Sequence, residues 1–213
     1  MVKFTSAVEF STAEDLALFY VDICSFLADK MAAKDALTPY LLKMRAVLNY
    51  RGGWPSGPTK LFDFLYLAGE DEATNLELLQ KLGITHVINC AASYVNTGSA
   101  FYGGAIEKYV AFEAEDDDNY NIMQHFDESY AAIEEARQRG GKALIHCIMG
   151  INRSGALAVS YAMVHKQWGP IKAAEYVKNA RKLLLSNDRF QSQIVAFAQE
   201  RNLLELDSSL LSS

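Results

Sequence analysis

The stretch Ala143–Gly155, ALIHCIMGINRSG, leads from three apolar residues into a histidine, a cysteine, two glycines and an arginine. KALIHC before the loop reads as a buried strand, and RSGALAVSYAMVHKQ after it as an apolar helix. The residues between them therefore form a strand-to-helix loop. Backbone N–H groups wrapped ahead of a helix N-terminus make a cradle for an anion. The same field stabilises a thiolate, so Cys147 is expected to act as a nucleophile at neutral pH. Gly150 lets the loop turn close to the anion without a Cβ in the way. Arg153 offers a planar fork matched to two phosphate oxygens. Ser154 is placed to donate its hydroxyl to the cysteine sulfur and so ease departure of the thiolate in a second step. His146 is expected to orient the loop through backbone hydrogen bonds, and Asn152 to brace it from within.

Strand and helix signals alternate on both sides of this loop. LFDFLYLAG reads as a strand, DEATNLELLQKLG as a short helix stopped by Gly83, ITHVINCA as a central strand and IEKYVAFEA as another. FDESYAAIEEARQRGG, GPIKAAEYVKNAR and NDRFQSQIVAFAQERN read as helices. EDDDNYN is an acidic loop. The alternation predicts an α/β domain with helices packed on a central sheet. Towards the N-terminus, Ser11 to about Met31 reads as an amphipathic helix opened by the capping box STAE, with Ser11 as N-cap and Glu14 three residues on. A second helix is expected from Thr38 to Val47, with Pro39 in its first turn. NYRGGWPSGPTK then reads as a linker. The organisation expected is a helical extension over 1–55, a catalytic domain over 56–205 and a flexible tail over 206–213. The apolar stripe of the extension has to be buried somewhere, which predicts packing on the catalytic domain, a homodimer through these helices, or docking of a substrate.

Composition narrows the class. Half of the 213 residues are apolar and 22% are charged, an ordinary globular balance with ample core material. No run of 18 apolar residues predicts a membrane span, and the N-terminal MVKFTSAVEFSTAEDL does not read as a secretory signal. A net charge of −6 without a basic block argues against a broad nucleic-acid footprint. Three widely spaced cysteines argue against a disulfide framework or a zinc site and for a reducing compartment, the cytoplasm or nucleus. Cys24 and Cys90 read as buried structural thiols. His86 and His165 read as ordinary strand and helix residues, His125 as surface and Asn89 as structural.

His146, Cys147, Gly150, Arg153 and Ser154 resemble the signature of the cysteine-dependent protein phosphatases. Residues from about Lys60 to Asn202 are similar to an atypical dual-specificity phosphatase of the protein tyrosine phosphatase superfamily. LYLAGEDEATNLELLQKLGITHVINCAAS, VNTGSAFY and NDRFQSQI carry the rest of the likeness. The resemblance implies a mixed central sheet flanked by helices. It also implies hydrolysis of phosphotyrosine and phosphoserine or phosphothreonine through a cysteinyl-phosphate, on phosphorylated protein substrates and without metal or cofactor. A general acid is needed for the leaving oxygen, and the same group then acts as base on water. In the family an aspartate does this from a loop about 30 residues before the cysteine. Asp116, Asp117 and Asp118 are the candidates, and the family's spacing of six residues to the apolar start of the next helix, here Ile122, selects Asp116.

The remaining loop positions, Ile148, Met149, Ile151 and Asn152, carry no basic residue. Phosphoinositide phosphatases of this superfamily commonly place Lys or Arg there, so a polyphosphorylated headgroup is disfavoured. An apolar rim suits a phosphotyrosine ring or a peptide backbone. Two other readings remain. GINRSG also resembles the cradle of RNA 5′-triphosphatases, which read G-x-N-R-T-G, although the acidic loop and net charge weigh against RNA. A non-catalytic phosphopeptide-binding pseudophosphatase is the other, and it usually lacks the Cys or the Arg that are both present here.

Overall fold

The computed structural model describes residues 36–49, 53–204 and 206–207. The first expected helix, Cys24 and the last six residues lie outside them. The chain divides into two units, Met1–Pro39 and Tyr40–Ser213. In the first, residues 36–39 are helical; in the second, helix α1 covers residues 40–48, where the second helix was expected. Everything that follows belongs to the second unit.

Five strands form one sheet in the order β1-β2-β5-β3-β4. β1 (Thr59–Phe62) and β2 (Leu65–Ala68) are antiparallel; β5 (Ala143–His146), β3 (His86–Asn89) and β4 (Lys108–Ala111) run parallel with β2. The sheet is therefore mixed, as the resemblance implied. The run LFDFLYLAG, expected as one strand, folds back on itself, with Phe62 opposite Leu65 across a turn at Asp63–Phe64. Apolar residues flank a turn that contains neither Gly nor Pro, so the reversal is silent in the pattern. The strand expected to be central, β3, is internal, but the middle position belongs to β5. All four residues of β2, β3 and β5 are buried, as expected for parallel strands covered on both faces.

The helix expected after β2 is two helices, α2 (Glu70–Ala73) and α3 (Leu76–Leu82). Asn75 divides them, because its side chain accepts from Leu78 N and starts a new N-terminus. Tyr66, Ala68, Val87 and Leu144 from the sheet pack with Leu79 of α3 and with Tyr102 into a core on that face. A short 3-10 helix, Ile122–His125, runs into α4 (Phe126–Gln138). α5 (Arg153–Lys166) is buried from Arg153 through Met163, so it is a core helix without a polar face. Each of its large apolar side chains contributes about 1.5–3 kcal/mol by leaving water. α6 (Pro170–Ala180) and α7 (Asp188–Glu200) complete the layers. Among the described residues, no helix is long and apolar enough to cross a membrane.

The C-terminal segment differs from the frayed tail expected of it as far as Asp207. Gly169, the N-cap residue of α6, has no side chain to offer. The Asp207 carboxylate takes that place and accepts from Ile171 N at 2.5 Å, fully buried. A Cβ on Gly169 would meet Asp207 atoms at 2.2–2.5 Å, so the glycine is what admits the carboxylate.

Candidate active site

β5 ends at His146 and α5 begins at Arg153, so the loop 147–152 lies at the carboxyl edge of the middle strand, above a core helix. Its shape is fixed from three sides. Gly150 has φ +64°, and a Cβ there would meet the Ala68 carbonyl oxygen at 2.3 Å, so any side chain breaks the approach to β2. Glu70 N donates to Ile148 O at 2.8 Å, tying the loop to the start of α2. From beneath, Arg181 donates to Gly150 O at 2.6 Å and to Met149 O at 2.9 Å, with a third bond to Thr59 Oγ1 at 3.0 Å. Arg181 is 3% exposed, and burial lowers its pKa. The sequence reading passed over it, because an arginine at the end of an amphipathic helix carries no local signal.

The Cys147 sulfur is buried and receives two hydrogen bonds, from Gly150 N and from Ser154 Oγ, both at 3.2 Å. Among the described residues, the N–H groups of Ile148, Met149, Ile151 and Asn152 are engaged by no backbone carbonyl, which leaves them for an anion. Arg153 is anchored by Nη1 to Ala114 O at 3.1 Å, while its buried Nε has no partner. A buried guanidinium N–H without an acceptor is costly unless an oxygen fills that role, and a phosphoryl oxygen fits it. Tyr94, exposed, lies with its ring centroid 5.4 Å from the Arg153 guanidinium carbon and donates its hydroxyl to Glu115 Oε2 at 2.6 Å. That bond and the carboxylate charge push the Tyr94 pKa up.

Of the three loop aspartates, Asp116 borders the cavity; Asp117 instead accepts from Asn119 N at 2.8 Å, and both Asp117 and Asp118 are exposed. Two amides grip Asp116: Asn152 Nδ2 donates to Oδ2 at 3.0 Å and Asn187 Nδ2 to Oδ1 at 2.9 Å. Asn152 also accepts from Ser186 Oγ and Asn187 N, so it braces loop and acidic segment together. Asn187 was not singled out by sequence, although its place before α7 marks it as an N-cap.

The cavity, ≈ 400 Å³, is lined by the buried Cys147, Arg153 and Ile151, by the partly buried Ile148, Asn152 and Leu183, and by the exposed Met149 and Trp54. His146 is fully buried beside it. Its Nδ1 lies 3.3 Å from Cys147 O, its Nε2 has no partner, and burial lowers its pKa to about 4. It is thus neutral near pH 7, and its one bond reaches the backbone of its own neighbour. Cys90, just past the end of β3, donates its N–H to His146 O at 2.8 Å; its thiol is buried, and burial raises its pKa well above the ordinary value. Asn89 is structural, as expected, binding Val95 O, Thr97 and Tyr109. His125 is not a free surface residue: its Nε2 lies 2.6 Å from Tyr120 Oη, its ring stacks on Phe112, and burial lowers its pKa.

Comparisons with known proteins bear on the family and the fold. The family model for the dual specificity phosphatase catalytic domain matches residues 65–200. Protein phosphatase Slingshot of Drosophila melanogaster is 35% identical over 146 residues, covering 68% of this chain and 14% of that protein. Human dual specificity protein phosphatase 5 is 30% identical over 181 residues, covering 84% of this chain and 46% of that protein. The chain therefore spans less than half the length of either relative. The crystal structure of DUSP15 superposes with a TM-score of 0.62 at 28% identity, over 70% of this chain and 93% of that one. A cysteine loop tied into a mixed sheet and a family match across that whole sheet apart from its first strand lead to one conclusion: this chain belongs to the dual specificity phosphatase catalytic-domain family.

Proposed function

We propose that the chain hydrolyses phosphate monoesters on tyrosine and on serine or threonine side chains of proteins, within a catalytic unit over 56–205. The observation that carries this is the Cys147 sulfur, held by Gly150 N and Ser154 Oγ beside a cavity that Arg153 and Asp116 also line. In the first step Sγ attacks phosphorus, the P–O ester bond breaks, and Asp116 gives its proton to the leaving alkoxide or phenolate. Arg153, with its unpartnered Nε, and the loop amides hold the equatorial oxygens as charge spreads over them. In the second step Asp116 takes a proton from water, the water oxygen bonds to phosphorus, and the S–P bond breaks. Ser154 donates to the departing thiolate.

Among the described residues, Arg153 is the one Lys or Arg lining this cavity, which suits a single phosphoryl group better than a triphosphate. The test is phosphate loss, followed by mass spectrometry, from a peptide bearing both phosphothreonine and phosphotyrosine. Wild type is expected to remove both phosphates and Cys147→Ser neither. Loss from phosphotyrosine alone would restrict the reading to tyrosine, and loss from neither would overturn it.

A further inference from the structure

Trp54 is 68% exposed, the largest exposure among the large apolar side chains of the described residues. Leaving an indole in water is unfavourable, and a solitary exposed tryptophan beside a reactive cleft is a candidate binding surface. It borders two cavities. One is the catalytic cavity; the other, ≈ 220 Å³, lies over the start of α2 and shares Trp54, Ile148 and Met149 with the first. Trp54 and Met149, itself 47% exposed, are thus the partition between the two. Trp54 also precedes the segment matched by the family model, which starts at residue 65.

The catalytic cavity joins the buried Cys147 and Arg153 to the exposed, apolar Met149 and Trp54. Its ≈ 400 Å³ falls within the range of sites that enclose small organic ligands, roughly 300–1,000 Å³, and exceeds what a phosphoryl group alone fills. Resting on the phosphatase reading, we propose that Trp54 is a specificity-determining residue. Its indole and the Met149 thioether form the wall against which the aromatic ring of a phosphotyrosine packs, favouring aryl over alkyl phosphate esters. With the phosphoryl group at Cys147 and Arg153, a phosphotyrosine carries its ring along the apolar side chains. A phosphothreonine turns back to peptide backbone before it offers any comparable face. Sulfur–aromatic and aromatic–aromatic contacts both reward the ring.

The chain has two tryptophans, and Trp168 packs on Tyr176, away from both cavities. In a Cys147→Ser, Trp168→Phe protein, Trp54 is therefore the sole indole reporter. It is titrated with a phosphotyrosine peptide, the same peptide carrying phosphothreonine, and inorganic phosphate, with binding followed in parallel by calorimetry. A saturable fluorescence change is expected with the phosphotyrosine peptide and little with the other two. In parallel, Trp54→Ala in the active protein should reduce the ratio of kcat/KM for phosphotyrosine over phosphothreonine about tenfold, through KM, and Trp54→Phe should restore most of it. Being exposed, the residue can be replaced without threatening the fold. Calorimetric binding of the phosphotyrosine peptide without a fluorescence change, an equal response to both peptides, or an unaltered ratio in Trp54→Ala would overturn the proposal. Phosphate release from neither peptide by the wild type would instead remove the phosphatase reading, and this inference with it.

Discussion

Arg181 shows how much of the site depends on a residue that never enters it. Its guanidinium serves two loop carbonyls and a strand hydroxyl from a buried position. Lysine keeps the charge but has one nitrogen for three acceptors, so Arg181→Lys leaves buried carbonyls unpaired at about 1–3 kcal/mol each. The expected outcome is a lowered melting temperature together with a fall of at least tenfold in kcat/KM, read by thermal unfolding and peptide dephosphorylation. Ser154→Ala has a different signature. The sulfur loses one of its two donors, breakdown of the cysteinyl-phosphate slows, and acid quenching during turnover should recover phosphate bound to the protein. The reacting loop itself was legible in the sequence, because Cys147, Gly150, Arg153 and Ser154 act within one loop and the first turn of one helix. Arg181 and Trp54 were not, since each reaches the loop from a distant part of the chain and nothing in its neighbours announces it.

At the scale of elements, the acidic segment is held by the N-terminus of α7. Asn187 divides its amide between two tasks: the oxygen caps the helix through Arg189 N and Phe190 N, and the nitrogen donates to Asp116. The tasks separate by substitution. Asn187→Asp keeps the cap oxygen and turns the donor into an acceptor facing Asp116. It should hold the melting temperature within about 2 °C of wild type while phosphate release falls about tenfold. Asn187→Ala should lose both, with about 1 kcal/mol of stability gone. Periodicity made α4, α6 and α7 readable in advance, and a long apolar run following Arg153 did the same for α5. The hairpin at Asp63–Phe64 was not, because its turn has neither Gly nor Pro between apolar flanks, while the break at Asn75 carried a cap signal that the helix-forming residues on both sides obscured.

For the whole molecule, the middle strand ties stability to acidity. His146 is buried at the end of β5, with its folded pKa near 4 against an ordinary 6.5. Above 6.5 neither folded nor unfolded chain protonates it, so its neutral burial costs nothing further. As pH falls from 6.5 towards 4 the unfolded chain gains a proton that the folded chain refuses. Stability should decline by about 3 kcal/mol across that window and then level off as far as this residue is concerned. Urea unfolding at several pH values should show the decline, and His146→Asn should flatten it. A steep loss confined below pH 4 would contradict this account.

The Asp207 carboxylate has a further consequence at this scale. It anchors the first turn of α6, and the residue closing that helix is Arg181, which grips the cysteine loop. One rigid rod thus joins a point beyond the last long helix to the cysteine loop. The packed domain therefore extends past the end of α7 at least as far as the buried Asp207 carboxylate. A chain cut after Asn202 keeps every strand and every reacting group yet loses the pin on that rod. It should be more readily digested between α5 and α6 and slower in turnover, and the defect should be reproduced in the full-length chain by Asp207→Ala alone.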